Sequence, residues 1–466
     1  MKRELSIYIH IPFCKRKCSY CDFLSFGGCD IIRQREYVDA LCKEIGAYSL
    51  IAEDYSVVTI FVGGGTPSYI PAEYIGKILN KVRKTFTVSA DAEITIEGNP
   101  DSLTADKIGE YRKLGINRLS IGLQSTNDDM LKTLGRVHNY DQFIAAYSRA
   151  REAGFSNINI DIMSGLPGES MESYVKTLGK VVELSPEHIS AYSLIVEDGT
   201  PLADDEDLLS KLPSEEMDRK QYARTKLLLG GAGYNRYEIS NYARTGYECR
   251  HNLRYWTGGE YLGVGLGASS YMKLSIGNDY DNTFADIENE YGEEYKYEVG
   301  QEYGEEYEYE IGQEYGDDYG YESEQGYSVD KDIKLYEDNE VEGKLTAVRF
   351  KGIDNIDEYI GRFSKLGTGW TDVSSIAEYI NNCCTAIHVQ KEKDEIEEFM
   401  FLGLRCISGI DCREFEKRFG KDIREMYGAV IDKYVSSGYL VVDGERLHLS
   451  DKGLDVSNTI MAEFML

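Results

Sequence analysis

Positive charge is scarce in this chain of 466 residues: 51 Lys and Arg stand against 81 Asp and Glu, a formal net charge of -30. Binding to nucleic-acid phosphates relies on clustered Lys and Arg, so nucleic acid is not an expected partner. No window approaches the roughly 18 uninterrupted apolar residues of a membrane span. The first residues lack the apolar region and cleavage site of a signal peptide. We therefore expect a cytoplasmic protein of two or three domains.

Regularly spaced cysteines are also lacking, which excludes a disulfide framework. Seven of the ten cysteines are scattered, but three form the motif Cys14-x3-Cys18-x2-Cys21. Three thiolates on one short loop can ligate three irons of a [4Fe-4S] cubane and leave the fourth iron open, whereas an electron-transfer cluster needs a fourth cysteine. Zinc or a purely structural role is the minor alternative, because zinc sites usually pair two C-x2-C hooks. Thiolate ligands also fit a reducing compartment.

The first 232 residues alternate short β-branched or aromatic runs with longer segments of helical periodicity, which predicts βα units on a parallel sheet. We predict a partial (β/α)6 barrel of the TIM type. The six predicted strands span residues 5–11, 56–62, 92–97, 116–122, 157–163 and 188–194, and the predicted helices span 31–53, 71–84, 104–113, 139–153, 170–183 and 214–230.

Four further segments follow the predicted barrel. Residues 233–280 contain CRHNLRYW and the glycine-rich stretch 258–270, which predicts a lid or docking surface, or else an ordinary loop. Residues 346–391 form a connecting segment. Residues 392–466 predict a small winged-helix-like domain, with three helices, a hairpin turning at Asp-Gly, and a last helix. Since this domain has no basic stripe, we expect it to serve packing or partner recognition.

The remaining segment, residues 281–345, contains three tandem twelve-residue repeats at 290–325. They hold 14 acidic residues, one Lys and nine Tyr, for a net charge of -13. Self-repulsion and few aliphatic residues predict a solvated, largely disordered insertion. The tyrosines leave docking on a basic partner open as the alternative.

Polar or glycine residues stand where several predicted strands end. Gly63-Gly64-Gly65-Thr66-Pro67 follows the second strand, and glycines there free backbone groups to meet a polar ligand. Glu97, Gln124, Arg136 and Asp161 follow or end later strands, where barrel ligands bind. Singly, Glu97 or Asp161 would more often be a helix cap or a salt-bridge partner.

The cysteine loop, the six βα units and these motifs resemble the radical SAM superfamily. Over about residues 1–275 and 350–466 the chain is similar to the oxygen-independent coproporphyrinogen III oxidase-like family. The resemblance implies S-adenosylmethionine (SAM) chelated on the open iron, with a set of residues that seat SAM. Matched to this sequence, that set is Tyr8, Gly64, Gly65, Thr66, Glu97, Gln124, Arg136 and Asp161.

Three features favour the heme-chaperone branch of that family. The cluster motif ends in Cys21-Asp22-Phe23, where the oxidases carry a further cysteine two residues after the third, and the N-terminal extension of the oxidases is absent. The segment from His251 to Trp256 also matches an HNxxYW motif associated with heme binding. This branch implies heme as cargo, His251 as its leading candidate ligand, an apo-hemoprotein acceptor and a possible homodimer.

Two interpretations stay open from the sequence. On the HNxxYW motif alone, a loop cap at His251 and a core position for Trp256 explain the residues equally well. For the whole chain, the alternative to a chaperone is an enzyme, a coproporphyrinogen III oxidase that oxidatively decarboxylates propionate side chains in porphyrin biosynthesis.

Overall fold

The computed structural model describes residues 2–275, 345–365 and 376–465. Residues 1–274 and 346–466 form one compact unit, and residues 275–345 form a second unit. The second unit, including the acidic repeats predicted to be disordered, lies outside the described residues except at its two ends. Everything below therefore concerns the first unit.

A twelve-stranded sheet runs through this unit in the order β14-β13-β12-β11-β1-β4-β5-β6-β7-β8-β10-β9. Two smaller sheets, β2-β3 and β15-β17-β16, complete the strands of the described residues. The bounds are β1 Arg3–Ile11, β2 Phe13–Cys14, β3 Phe26–Gly27, β4 Tyr55–Gly64, β5 Thr87–Gly98, β6 Arg118–Gln124, β7 Ile158–Ser164, β8 His188–Ser193, β9 Asn235–Arg236, β10 Asn241–Ala243, β11 Tyr261–Val264, β12 Ser269–Ser275, β13 Leu345–Gly352, β14 Cys384–Val389, β15 Ile410–Asp411, β16 Leu440–Asp443 and β17 Arg446–Leu449.

The helices between these strands match the predicted segments, except that the segment 31–53 is α-helical only to Ala47 and continues in two 3-10 turns, and that short helices occur which the sequence pattern did not indicate. None of the helices described is both long and apolar enough to cross a membrane. The bounds are α1 Ile31–Ala47, α2 Ala72–Thr85, α3 Ala105–Lys113, α4 Asp128–Thr133, α5 Tyr140–Glu152, α6 Met171–Leu184, α7 Glu206–Leu209, α8 Glu215–Gly231, α9 Arg250–Trp256, α10 Ile356–Ser364, α11 Ile376–Cys383, α12 Glu392–Arg405, α13 Cys412–Phe419, α14 Ile423–Ser436, α15 Asp451–Leu454 and α16 Ser457–Ala462.

All six predicted barrel strands are present, as β1 and β4 to β8, and neighbouring strands pair in parallel. In the pairing of β1 with β4, Tyr8 lies opposite Phe61 and His10 opposite Gly63. Because side chains alternate across a strand, these positions share one face of the sheet with Ser6 and Thr59. The predicted partial (β/α)6 barrel is confirmed, and its polar side chains stand on this inner face.

The glycine-rich stretch 258–270, predicted as a lid or docking surface or else an ordinary loop, contains all of β11 and the start of β12. Strand β11 pairs in parallel with β1 and in antiparallel with β12, which extends the sheet. A Cβ atom on Gly263 would lie 2.2 Å from the Ser269 carbonyl oxygen, so glycine allows this close approach. The sequence did not predict these strands, because pairing with distant strands rather than the local residue pattern determines their conformation.

The C-terminal residues form a separate small core, as predicted. Apolar side chains of α12 to α16 pack on the sheet of β15 to β17, with Met400, Phe415 and Phe464 fully buried. This core contacts the barrel segment through Arg405, whose guanidinium carbon lies 4.5 Å above the Trp256 ring. The main chain joins them as well, because the Ile407 N–H donates to the Tyr237 carbonyl at 3.0 Å.

Candidate functional site

The cysteine loop lies at the carboxyl end of β1. Strand β2 ends at Cys14 and pairs with β3, and the Gly28 N–H donates to the Cys14 carbonyl at 3.1 Å, which closes the loop at its base. Within the loop the Cys21 N–H approaches the Cys18 carbonyl at 3.4 Å. The Ser19 N–H donates to the Leu134 carbonyl at 3.2 Å and so fixes the loop to the segment after α4. The chain thus holds all three cysteines on one closed turn.

All ten cysteines of the chain are free thiols. Cys14 is buried, and burial raises its pKa, while burial raises the pKa of Cys21 to about 11. The neighbouring Cys18 raises the pKa of both thiols as well, and Cys14 raises that of Cys21. Cysteines bind metal as thiolates, and burial disfavours the thiolate because it removes the charge from water. A bound metal centre must therefore stabilise the negative charge on these sulfurs.

The donor set, three thiolates on one loop, is the set that a [4Fe-4S] cluster with one open iron requires. Among the described residues no three His, Cys, Asp or Glu side chains converge on one metal position. In a cubane each thiolate binds a different iron, so the three sulfurs need not converge. A Cβ atom on Gly65 would lie 3.0 Å from Cys14 Sγ, and a side chain there would fill the space beside that sulfur.

The glycine motif after β4 forms the wall next to this loop. Gly64 has φ of +107°, and a Cβ atom there would lie 2.7 Å from the His10 ring. The Gly65 N–H donates to the Ile11 carbonyl at 2.9 Å, and the Thr66 N–H donates to the Phe13 carbonyl at 2.9 Å. These bonds fix the motif against the start of the cysteine loop, so the backbone groups and the thiols share one cavity edge.

Two carboxylates come from β5 and β7: Glu97 is the next-to-last residue of β5, and Asp161 is the middle residue of β7. Glu97 Oε2 accepts from the Gly64 N–H at 3.2 Å, and Asp161 accepts from Ser120 at 3.1 Å and from Asn159 at 2.8 Å. Burial and the neighbouring Asp161 carboxylate raise the pKa of Glu97 to about 8. Two acids held close together in a half-buried cavity favour a cationic ligand.

Arg136 and Gln124 lie at the same carboxyl edge of the barrel and form what we call its rim. Arg136 Nη1 lies 3.6 Å from Cys18 Sγ, and its Nη2 donates to the Gly122 carbonyl at 2.7 Å. Gln124 ends β6 in the left-handed region at φ of +71°, which is uncommon for a residue other than glycine. A strained backbone at the end of a barrel strand is typical of binding sites.

Aromatic side chains form the floor of this cavity. Tyr8 stacks on Phe61 with ring centroids 6.3 Å apart, and its hydroxyl lies 3.0 Å from His10 Nδ1. His10 Nε2 is 2.8 Å from the Leu24 carbonyl, which can only accept a hydrogen bond, so Nε2 carries the hydrogen and Nδ1 accepts from the Tyr8 hydroxyl. Burial lowers the pKa of His10 to about 4, and His10 is a neutral packing residue.

His251 lies below that floor and apart from the other predicted site residues. Its ring stacks on Phe61 at 5.2 Å, and its Nδ1 and Nε2 lie 2.8 Å from the hydroxyls of Thr59 and Tyr255. Its partner Thr59 is five residues before Gly64 on β4, and Phe61, on which His251 stacks, also stacks on the predicted SAM residue Tyr8. The His251 side chain is buried, and burial lowers its pKa to about 3.

Helix α9, which carries His251, is held across the amino ends of the strands. Glu93 accepts from the main-chain N–H groups of Arg250 at 3.2 Å and His251 at 3.1 Å. Arg254 reaches Glu4 at the start of β1 at 2.8 Å. This geometry favours the structural interpretation of the HNxxYW segment.

The structure therefore brings together the three cysteines and all eight predicted SAM residues, but not His251. Sequence reasoning missed Asn99, which contacts both the glycine motif and Arg136. It also missed Phe61, the floor residue. Asn99 could have been found because it follows Glu97 in the same motif, ITIEGNP, at a strand's carboxyl end.

The comparisons with known proteins agree with this geometry. The model of the radical SAM superfamily matches residues 8–181, and that of the HemN C-terminal domain matches residues 390–456. A barrel of this kind with three cysteines on the loop after β1 defines the chain as a radical SAM protein, a class whose members carry a [4Fe-4S] cluster and SAM.

Curated relatives narrow the class. A protein of Escherichia coli K12 named heme chaperone HemW is 40% identical over 279 residues, covering 59% of this chain and 71% of the relative. A protein of Lactococcus lactis with the same name is 28% identical over 467 residues, covering 100% of this chain and 98% of the relative. The chain belongs to the HemW family.

A solved structure shows the same fold over the whole chain. Coproporphyrinogen III oxidase (HemN) from Escherichia coli matches with a TM-score of 0.72 at 21% identity, covering 100% of this chain and 90% of the oxidase. This likeness supports the architecture of a barrel followed by a small C-terminal domain.

Proposed function

We propose that the protein is a heme chaperone, which binds heme and transfers it to apo-hemoproteins while carrying a SAM-ligated [4Fe-4S] cluster. The observation that carries this proposal is the relationship to proteins named heme chaperone HemW along nearly the entire chain. Phe23, at the position where the oxidases have a further cysteine, supports it. Its side chain is 68% exposed beside the cluster loop and cannot ligate metal.

In this proposal Cys14, Cys18 and Cys21 hold the cluster, and SAM lies between the glycine motif and the carboxylates. Gly64, Gly65 and Thr66 would offer carbonyl and hydroxyl oxygens, since their N–H groups already bond Glu97, Ile11 and Phe13. Glu97 and Asp161 would supply negative charge for the sulfonium. The remaining contacts come from the rim and the floor, through Tyr8, Gln124 and Arg136. When bound, the cluster supplies an electron for reductive SAM chemistry.

The heme site needs a different argument, because His251 is buried with both ring nitrogens hydrogen-bonded. An axial bond from His251 to heme iron requires Nε2 or Nδ1 to give up one of these partners and the buried ring to become accessible. We propose that His251 holds α9 in place in this conformation and can bind heme only after such a change. The acceptor hemoprotein, a homodimer and a cytoplasmic location complete the proposal, the last because thiolate ligands need a reducing compartment.

The second candidate function is the oxidase, which the fold match to HemN favours. An anaerobic assay separates the two: cluster-reconstituted protein is mixed with SAM, dithionite and coproporphyrinogen III, and porphyrinogen products and 5'-deoxyadenosine are followed. We expect no decarboxylated product. Protein of the same batch, loaded with hemin, should transfer it to an apo-hemoprotein, seen as the holoprotein's absorption spectrum. Formation of protoporphyrinogen would make the protein an oxidase.

A further inference from the structure

A continuous path of hydrogen bonds joins two of the proposed cluster ligands. The Thr66 hydroxyl lies 3.5 Å from Cys14 Sγ, and Asn99 Nδ2 lies 3.1 Å from the same hydroxyl oxygen. Asn99 Oδ1 accepts from Arg136 Nη2 at 2.6 Å, and Arg136 Nη1 lies 3.6 Å from Cys18 Sγ. Asn99 stands at the centre of this path and touches neither sulfur.

The direction of every bond in the path follows from Arg136. A guanidinium has only donors, so the atom of Asn99 that faces it must be the carbonyl oxygen. The amide nitrogen of Asn99 then faces Thr66 and donates to it. Since the Thr66 oxygen accepts that bond, its own hydrogen is free to point at Cys14 Sγ. One asparagine thus orients two donors toward two thiolates.

The main chain fixes Asn99 in this position. Its N–H donates to Ser68 Oγ at 3.1 Å, and its carbonyl accepts from Ser102 Oγ at 3.0 Å. Ser68 is fully buried. These bonds hold the amide where a rotated or shorter side chain could not bridge Thr66 and Arg136.

We propose that Asn99 is a positioning residue that sets the reduction potential of the cluster by aiming the Thr66 hydroxyl at Cys14 and the Arg136 guanidinium at Cys18. The proposal rests on the proposed cluster site. One-electron reduction adds a negative charge to the thiolate-bound group, and hydrogen bonds to the sulfurs stabilise that charge. Loss of the aimed donors therefore lowers the potential.

The sharpest variant is Asn99→Asp, which keeps the size of the side chain. A carboxylate still accepts from Arg136 but cannot donate to Thr66, so it draws the hydroxyl hydrogen away from Cys14. We expect the equilibrium constant for reduction by one electron from dithionite to fall about tenfold, a shift of about 59 mV. The measurement is a redox titration of SAM-free, reconstituted protein followed by electron paramagnetic resonance.

A matched pair at Thr66 tests the same path independently of how Asn99 variants fold. Thr66→Val should lower the potential in the same direction, and Thr66→Ser, which retains the hydroxyl, should keep it within about twofold of the wild-type constant. Combining Asn99→Ala with Thr66→Val should give less than the sum of the two single shifts, because Asn99 acts partly through Thr66. Ser102→Ala is the control: it removes the bonds of the Ser102 hydroxyl to Ser68 and to the Asn99 carbonyl, but that carbonyl still accepts from the N–H groups of Ser102 and Leu103, so the potential should stay unchanged.

Iron content and cluster absorbance of each protein separate the possible failures. Wild-type protein without a cluster would contradict the proposed function. Fully loaded Asn99→Asp and Thr66→Val proteins with the wild-type potential would overturn the inference alone, as would fully additive shifts in the double variant.

Discussion

The two ends of the barrel interior differ in the exposure of their polar side chains and in how many of the hydrogen-bonding groups already have a partner within the protein. At the carboxyl end all predicted SAM residues except the buried Thr66 are half-buried, and Asp161 lies near enough to Glu97 to raise its pKa. At the amino end Glu93, Arg118 and His251 are all less than a tenth exposed. There Glu93 caps α9, and His251 uses both ring nitrogens.

This difference separates binding from stability. A cavity that is to receive a ligand keeps polar groups partly open to solvent, whereas buried groups without a ligand must find partners within the protein. Glu97 and Asp161 at the carboxyl end have the first character, and Glu93 and His251 at the amino end have the second; Arg118 departs from it, since its buried Nε has no hydrogen-bond partner among the described residues. The HNxxYW segment belongs to the amino end, although its sequence suggested a ligand-binding role.

The largest expected effect is at the carboxyl end. Replacing Cys14, Cys18 or Cys21 by Ala should abolish the cluster, because each thiolate holds a different iron. Iron content and brown absorbance after anaerobic reconstitution measure it. Cys29→Ala is the matched control, since Cys29 is a free thiol near the same loop and should retain full iron. Unchanged iron in any of the three variants would remove the assignment.

The second-largest expected effect is a loss of stability on substitution at the amino end. His251→Ala removes two hydrogen bonds and the ring that stacks on Phe61, so we expect the free energy of unfolding to fall by about 3 kcal/mol. Cluster content should remain at the wild-type level. Urea unfolding and iron analysis of the same preparation measure both quantities.

His388→Ala is the control for that experiment. His388 is 42% exposed in its side chain and pairs only at the surface with Asp394, so its loss should change stability by less than about 0.5 kcal/mol. If His251→Ala leaves stability unchanged but removes the hemin absorption band, His251 is a heme ligand rather than the anchor of α9. The assignment of a purely structural role to the amino end would then be wrong.

A smaller effect is a pH dependence at the carboxyl end. The pKa of Glu97 is about 8, so near pH 6.5 its carboxyl is mostly protonated and has no negative charge with which to attract a cationic ligand. The sulfonium of SAM favours the ionised form, and binding expels the proton. SAM affinity should therefore rise with pH, by at most about tenfold per unit, and level off above about pH 8.

Two variants test the predicted rise of SAM affinity with pH. Glu97→Gln should flatten the pH profile and leave affinity low at every pH. Asp161→Asn removes the neighbouring charge that raises the Glu97 pKa, so the rise should move to lower pH. Equilibrium binding of labelled SAM to cluster-loaded protein provides the measurement. A wild-type profile that falls with rising pH would contradict the assignment of these carboxylates.

Local pattern was enough to predict the strands and the loop, but not the positions that depend on pairing between distant segments. The apolar runs of β1 and β4 to β8 and the spacing of the cysteines are properties of short windows. The place of His251 depends on Thr59, 192 residues away, and the strand character of β11 depends on its pairing with β1. Asn99 shows the same limit, since only the fold reveals that it lies between Thr66 and Arg136.

The smallest expected effect comes from deleting residues 290–325, whose repeats carry a net charge of -13. These residues have little aliphatic material to contribute to a core, so neither end of the barrel should depend on them. The deletion variant should keep the wild-type iron content, SAM affinity and free energy of unfolding within error. Loss of an otherwise co-purifying protein would make the repeats a docking segment. Loss of iron would show that they support the carboxyl end.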